Sequence, residues 1–562
     1  MAVSTASFSR ADVYAANPEK KVALYFVVTG LAALFVGTLI GILQAFNYAG
    51  INLYDNFPFL ASYYQGLTLH GVLNVIVFTT FFICGMMFYL PVREMNARPN
   101  MTWIWSAYWV MFGGLFLAGV AIITNNATVL YTFYPPLQGS WGFYTGAALI
   151  IVGSIMVGIE VVRLRQRWKR DHPDEATPIV TFMSTATWLM WILATFGIVT
   201  EVVVFLIPWS LGLREGVDPQ LARTLFWFTG HPIVYFWLLP AYISWYALVP
   251  KMAGGTLASE ALARLAFLMF LLFSVPVGMH HQFTDPGISA GWKMVHSLLT
   301  MFVGIPSLLT AFTVASSLEL AGKSRGGRGV FGWIPKLPWG NAAFAAQILA
   351  MISFMFGGAG GIILASFNLN VMLHNTAWIP GHFHITVGTA TTLTFMGISF
   401  WLLPHFTRKP LASNGLALAS AWLWFVGMMT FALGMHWQGL LGVPRRAQIS
   451  NLAPSLDGAY ASAALPQLIT GVSGIILALA VVCYFGVIFA TLFKRDRVTE
   501  DEAPAIPFVD RVKFHKDSTI MFLDRIYFWF GIAIAIVIVA YAPTLVEMFL
   551  NQVPVPGMRM GW

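Results

Sequence analysis

The chain has 562 residues, of which 58% are hydrophobic and only 10% charged. Soluble domains carry roughly 25% charged residues, so the composition excludes a string of soluble domains and points to a single membrane domain over residues 1–562. The formal net charge of +8 calls for no nucleic acid, because membrane topology accounts for the basic residues. In chain order, apolar runs long enough for a ~30 Å hydrocarbon core are predicted at 22–46, 68–92, 102–124, 141–162, 181–208, 221–249, 265–284, 294–316, 341–366, 373–404, 415–440, 465–493 and 524–549. The first is longer than a signal-peptide core and reads as a retained span. The connection 317–340, with Gly326, Gly327 and Gly329, reads as a flexible loop, and 494–522 as a charged link. No defensible internal repeat emerges.

The expected fold is an all-α, polytopic membrane protein of about 13 transmembrane helices. With the N-terminus in the cytoplasm, every basic residue except Arg214, Arg223, Lys293, Arg445, Arg446 and Arg559 falls on the cytoplasmic side. Arg10, Arg511, Lys513 and Lys516 count among them. This positive-inside bias sets the orientation, and the expected location is a bacterial cytoplasmic (inner) membrane. Cys84 and Cys483 lie in apolar spans and read as small buried side chains.

Six histidines stand within these runs: His70, His231, His280, His281, His382 and His384. An ionisable group in hydrocarbon is costly without a partner, and imidazole commonly ligates haem iron and copper. One such histidine alone reads more simply as a helix–helix hydrogen-bonding residue. Six at a shared depth, all in the outer half of the bilayer at 1.5 Å rise per residue, read as a metal layer. His382 and His384 project about 200° apart and suit two different centres. His231 and Tyr235 are four apart and share a face. His280 and His281 diverge by about 100° on a regular helix, and both reach one metal if the helix end loosens. Joined by His231, they would make a three-imidazole site with an open position, as catalytic metals keep. His172, His405 and His515 fall in predicted loops and read as solvated, while His296 and His436 read as structural. The Gly357–Gly361 run follows no strand and reads as close packing.

Several short motifs recur in a telling order: Thr68-Leu-His70-Gly71, Tyr131 to Leu137, Trp227 to Pro232, His280-His281, His382-Phe-His384 and Pro444-Arg445-Arg446. Over nearly its whole length the chain resembles subunit I of the haem–copper oxygen reductases, the cytochrome oxidases. That resemblance implies His70 and His384 as axial ligands of a low-spin haem, and His382 as proximal ligand of a high-spin haem. It implies His231, His280 and His281 as ligands of one copper ion. Tyr235 resembles the tyrosine cross-linked to the first copper histidine, which supplies an electron and a proton. Arg445 and Arg446, otherwise ordinary interfacial arginines, become partners for haem propionates. His374, Asn375 and Trp227 join them as cofactor-binding residues. Members commonly follow that outer-loop histidine with Asp, for magnesium. Asn375 here puts the magnesium in doubt.

Ile233 is a larger departure, since many members place a glutamate there to end one of two proton channels. No aspartate entrance stands near Arg98-Pro99-Asn100 either. The chain therefore resembles the B-type branch, typified by ba3-type oxidases, with one proton path. Its candidates are Tyr246 and Tyr242 on the sixth span with Thr310 and Ser307 on the eighth, although such hydroxyls often only bond back to their own helix. Glu201 reads equally as a proton site or a buried structural acid. The implied reaction is reduction of O2 to water, coupled to proton pumping. Electrons would come from cytochrome c through a copper-containing subunit II, because this chain has no cysteine-rich copper domain. A quinol donor is the alternative. The expected haems are b-type at the low-spin site and a-type at the high-spin site, and small helical subunits are further expected partners. Two other readings compete. A nitric oxide reductase of the same superfamily is opposed by Tyr235 and Ile233. A proton-coupled transporter would not need His382 and His384 on opposite faces.

Overall fold

The computed structural model describes residues 12–452, 461–510 and 517–560. Arg10, Arg511, Lys513, Lys516 and His515 lie outside the described residues. Twelve described helices are long and apolar enough to cross a bilayer. They are Pro18–Tyr48 (span 1), Tyr63–Glu94 (span 2), Met101–Ile123 (span 3), Trp141–Asp171 (span 4), Ile179–Ser210 (span 5) and Pro219–Met252 (span 6). After a gap come Ala290–Ser324 (span 8), Ala342–Ala365 (span 9), Trp378–Thr407 (span 10), Asn414–Leu440 (span 11), Ala464–Phe493 (span 12) and Ile526–Leu550 (span 13). Side-chain caps set many starts. Asn100, Asp218, Ser259, Ser289, Asn341 and Ser413 each accept a backbone N–H three residues on, satisfying donors that the helix leaves free.

The expected seventh span differs from the rest. Its helix runs only from Glu260 to Phe273, and the chain then opens into a 3₁₀ turn, Gly278–Gln282. Pro276 accounts for the break: it has no N–H to give and disfavours helical backbone at Val275. The segment still crosses, as span 7. Ala258 donates its N–H to Ser317 Oγ (2.9 Å) near one end of span 8, and Met279 to His296 Nδ1 (3.3 Å) near the other. Residues 258–282 therefore run antiparallel along span 8.

Spans 2, 6 and 10 form the centre. Their most apolar stretches are 89%, 83% and 89% buried, against 28% for span 8 and 33% for span 13. Apolar surface gains nothing by leaving lipid, so a span is central because of what it must hold. These three carry four of the six membrane histidines. Spans 2, 5 and 10 also each contain a π-helical turn, at Val72–Phe78, Thr200–Leu206 and Thr386–Thr391. Such turns are rare and cluster at functional positions. Here they directly follow Gly71, contain Glu201 and directly follow Ile385.

Polar networks close the cytoplasmic end. Asp524 is buried and lies 3.5 Å from Arg165, 3.2 Å from Lys169 and 3.3 Å from Arg264. Thr177 Oγ1 donates to it at 3.1 Å. Glu500 pairs at 2.5 Å with Lys20 and with Arg408, which ties the link after span 12 across spans 1 and 10. His405 departs from its expected place in a solvated loop. It lies in the last turn of span 10 and is buried. Its Nδ1–H donates to Pro504 O and its Nε2 accepts from Tyr89 Oη, each at 2.7 Å. A sequence boundary one turn short hides this, because the link returns to cover the helix end. His172 is half-buried and stacks on Trp168 at 4.5 Å between centroids.

Removing Asp524 leaves three cations facing one another without their counter-charge. Asp524→Ala is expected to cost about 3–5 kcal/mol, read as a lower thermal unfolding midpoint in detergent. An unchanged midpoint would show the cluster to be energetically idle.

Candidate functional site

One cavity of about 1070 Å³ runs through the bundle and is lined by all six membrane histidines, together with Tyr235, Trp227, Ile233, His374, Arg445 and Arg446. Pockets for one small ligand hold roughly 300–1,000 Å³, so this space stands at the upper end of that range.

His70 on span 2 faces His384 on span 10, with ring centroids 6.2 Å apart and planes within 10°. One metal ion fits between ring nitrogens at this separation, given metal–nitrogen bonds of about 2 Å. His70 Nδ1–H donates to Gly37 O at 2.8 Å, and His384 Nδ1–H to Pro380 O at 2.7 Å. Both backbone carbonyls therefore select the tautomer that leaves Nε2 free to ligate. Span 1 makes room through Gly41, where an added Cβ would lie 2.7 Å from His70 Cε1. Two locked, unprotonated imidazole nitrogens and no competing carboxylate are a fit for haem iron.

His382 points elsewhere. It packs against Gly360 of span 9, where a Cβ would stand 2.8 Å from its Nδ1, and lies parallel to Trp378 at 5.9 Å. A Cβ on Gly357 would meet Thr386 at 2.6 Å, so the glycine run brings span 9 against span 10. His384 instead contacts Phe431 at 4.7 Å between centroids. The two histidines thus address different parts of the cavity.

His231, His280 and His281 converge, with candidate ligand atoms all within 4.8 Å of one another. Each sits at a helix irregularity. His231 lies between Pro219–Gly230 and Pro232–Ala247, where Pro232 interrupts the ladder. His280 and His281 occupy the 3₁₀ turn, which brings two adjacent rings to 4.2 Å between centroids. Thr300 Oγ1 donates to His296 O at 2.6 Å and so accepts from His280 Nδ1–H at 3.0 Å, leaving His280 Nε2 for a metal. His281 lies flat on Trp227, with centroids 3.8 Å apart and planes within 5°. His231 Nε2 is buried without a partner. A neutral three-nitrogen set suits copper or zinc. Tyr235 stands beside His231, 4.8 Å between ring centroids.

His296 braces this turn, accepting from Met279 N–H and donating to Ala540 O at 3.2 Å. Sequence reasoning missed Thr300, while the structural reading of His296 agrees with its place here. A signal was present: His296 and Thr300 are polar residues four apart and share a helix face.

At the outer mouth, Arg445 donates from Nε and Nη2 to Asn375 Oδ1 at 3.1 and 2.8 Å. Burial pushes the Arg445 guanidinium down to about 10, so it remains a cation at neutral pH. Arg446 lies over Tyr131 and Tyr134 at 5.4 and 5.7 Å, and its Nη2 is buried without a partner. That orphaned donor fits an anion. Burial and Arg445 hold His374 down at about 4, so it is neutral near pH 7.

Two hydroxyl pairs join span 6 to span 8. Tyr246 Oη donates to Thr310 Oγ1 at 2.9 Å, and Tyr242 Oη to Ser307 Oγ at 3.3 Å. Thr310 also bonds back to Pro306 O at 2.8 Å. Tyr235, Tyr242 and Tyr246 are spaced seven and four apart and share a helix face. Glu201 is fully buried with both oxygens unpartnered. It does not line the cavity and joins neither hydroxyl pair.

Second-sphere hydrogen bonds typically contribute 10–100-fold to metal affinity. Thr300→Val keeps the side-chain shape and deletes the acceptor for His280. It should weaken metal retention at the three-histidine site by that factor, measured by copper analysis after chelator dialysis. Retention equal to wild type would refute the role of Thr300.

The comparisons with known proteins agree with this geometry. The sequence profile for "Cytochrome C and Quinol oxidase polypeptide I" matches residues 21–473. The chain is 53% identical over 567 residues to cytochrome c oxidase subunit 1 of Thermus thermophilus, covering all of both chains. It is 26% identical to the probable quinol oxidase subunit 1 of Staphylococcus haemolyticus, over 76% of this chain and 64% of that one. A solved structure of a haem–copper terminal oxidase dimer superposes with a TM-score of 0.92 at 36% identity, covering 97% of this chain and 96% of the other. Agreement over this length, in sequence and in fold, shows that the chain belongs to the haem–copper oxidase subunit I family.

Proposed function

We propose that this oxidase subunit reduces O2 to water with electrons from cytochrome c, and couples the reaction to proton pumping through one B-type proton path. The observation that carries the reading is a single cavity holding two distinct imidazole arrangements. One is a facing pair with both Nδ1 atoms locked, and the other a three-histidine cluster beside a tyrosine. His70 and His384 would hold a low-spin b-type haem, His382 a high-spin a-type haem, and His231, His280 and His281 one copper ion. When bound, these groups supply the electrons and the open coordination position that O2 reduction needs.

The chain's own residues do the rest. Trp227 fixes the plane of His281, and Thr300 the tautomer of His280. Arg445 and Arg446, with His374 and Asn375 beside them, offer donors to haem carboxylates at the outer mouth. Ile233 keeps the cavity next to His231 apolar and carries no proton. Protons would instead pass from Tyr246 and Thr310 to Tyr242 and Ser307, and on to Tyr235 Oη. Glu201 lies away from this route, which supports its reading as a buried structural acid.

Identity over the full length with a cytochrome c oxidase subunit supports cytochrome c over quinol as donor. Only Cys84 and Cys483 are present, so a copper-containing subunit II would receive the electrons, with small helical subunits as further partners. The site would lie in the bacterial cytoplasmic membrane. The three-histidine cluster includes no carboxylate, which argues against an iron-binding nitric oxide reductase.

Two measurements test the assignment. His384→Ala should remove the low-spin haem signal, and His382→Ala the high-spin one; identical spectral loss in folded protein would sink the two-face reading. Thr310→Val should slow O2 consumption and proton release together, with haem spectra unchanged. Tyr235→Phe should be more severe. Loss of pumping alone in Thr310→Val vesicles would contradict a shared path.

A further inference from the structure

The cavity accounts for the membrane histidines but not for a second recess at the opposite end of the bundle. This recess, about 640 Å³, lies between the end of span 4 and the start of span 13, on the side rich in basic residues. Arg165, Lys169, Arg170 and Arg525 line it together with Tyr527 and Phe528. Its one carboxylate, Asp524, is already engaged by Arg165, Lys169 and Arg264 and by the Thr177 hydroxyl. Arg170 and Arg525 are exposed, and neither forms an ion pair among the described residues. Among the described residues, the recess therefore keeps a surplus of positive charge without a paired carboxylate.

The level of the recess says what kind of anion fits. Span 13 begins at Ile526, and its first-turn side chains Tyr527 and Phe528 are 43% and 46% exposed. The Arg165 guanidinium lies 5.7 Å over Tyr527, and that of Arg525 lies 5.2 Å over Phe528. Further along the same helix, Ile538 and Val539 are exposed to lipid. Cations thus sit at headgroup level, directly above aromatic and aliphatic surface, as in basic pockets that take lipid headgroups. Arginine's planar fork suits phosphate oxygens. A free phosphate would satisfy the cations but leave the aromatic wall uncovered.

We propose that this recess binds an anionic phospholipid, its phosphate held by Arg170 and Arg525 and its acyl chains lying along Tyr527 and Phe528. The site is separate from the haem and copper residues and does not depend on which donor feeds them.

The test is native mass spectrometry of the detergent-extracted oxidase, titrated with dioleoyl phosphatidylglycerol or dioleoyl phosphatidylcholine. The comparison is wild type against Arg170→Gln/Arg525→Gln, two exposed changes whose folding the haem spectrum checks. The tightest phosphatidylglycerol binding should weaken about 30-fold in the double variant, as ~1 kcal/mol per charge implies, with phosphatidylcholine binding unchanged. Equal phosphatidylglycerol affinity in both proteins would overturn the proposal. Displacement of the phosphatidylglycerol by millimolar inorganic phosphate would overturn the lipid assignment in favour of a soluble anion.

Discussion

Imidazole inside a bilayer is costly unless its polar nitrogens are answered, and much of this structure follows from that constraint. Hydrocarbon offers no water to satisfy a stray N–H. His70, His280 and His384 each give Nδ1–H to an oxygen supplied by the bundle, from Gly37, Thr300 and Pro380 respectively. Each is then left with one basic nitrogen directed by packing. The carbonyls and the hydroxyl act as tautomer locks, and they come from spans 1, 8 and 10. The bundle must assemble before His70 and His280 are ready to ligate, whereas His384 is locked by a carbonyl of its own helix.

Regular helices alone would not deliver this arrangement. A straight helix separates adjacent residues by about 100°, and His280 and His281 share a site only because Pro276 ends the helix early. Pro232 similarly interrupts span 6 at His231. π turns follow close behind His70 and His384. Spans 2, 6, 7 and 10, which depart from ideal geometry, carry the six membrane histidines, and packing against other helices can satisfy the backbone groups that irregularity frees. Spans 3, 8 and 13, which face lipid along more of their length, can remain regular.

Charge is sorted by depth. The cytoplasmic end holds a dense network around Asp524 and Glu500, where acids and bases neutralise one another and clamp helix ends together. The outer mouth is different. Among the described residues, Arg445 meets the neutral Asn375 amide, Arg446 meets Tyr131 and Tyr134, and His374 is held neutral beside them. Among the described residues, neither Arg445 nor Arg446 forms an ion pair, and the mouth is suited to an anion. The middle of the bundle contains Glu201 as an isolated acid, in a π turn and away from the cavity.

Much of this was legible along the chain. Hydropathy marks the spans because a bilayer demands about 20 apolar residues for each, and basic residues mark the loops because topology sorts them. Spacing of two and four residues separated His382 from His384 and paired His231 with Tyr235, since helical rotation is a local property. Motif order pointed to the family. What local pattern cannot carry is which oxygen meets which imidazole: Thr300 and Gly37 bond to histidines on other elements, and His296 ties the turn at Met279 to Ala540 of span 13. His405 looked solvated because its covering segment, near Pro504, lies about 100 residues away in the chain. The shortened seventh helix was hidden because apolar content continues past Phe273 although regular backbone does not. Composition and periodicity determine which helices exist and which way they run. Only the packed bundle decides which nitrogen of His70 and of His280 is free, because that depends on hydrogen-bond partners contributed by other spans.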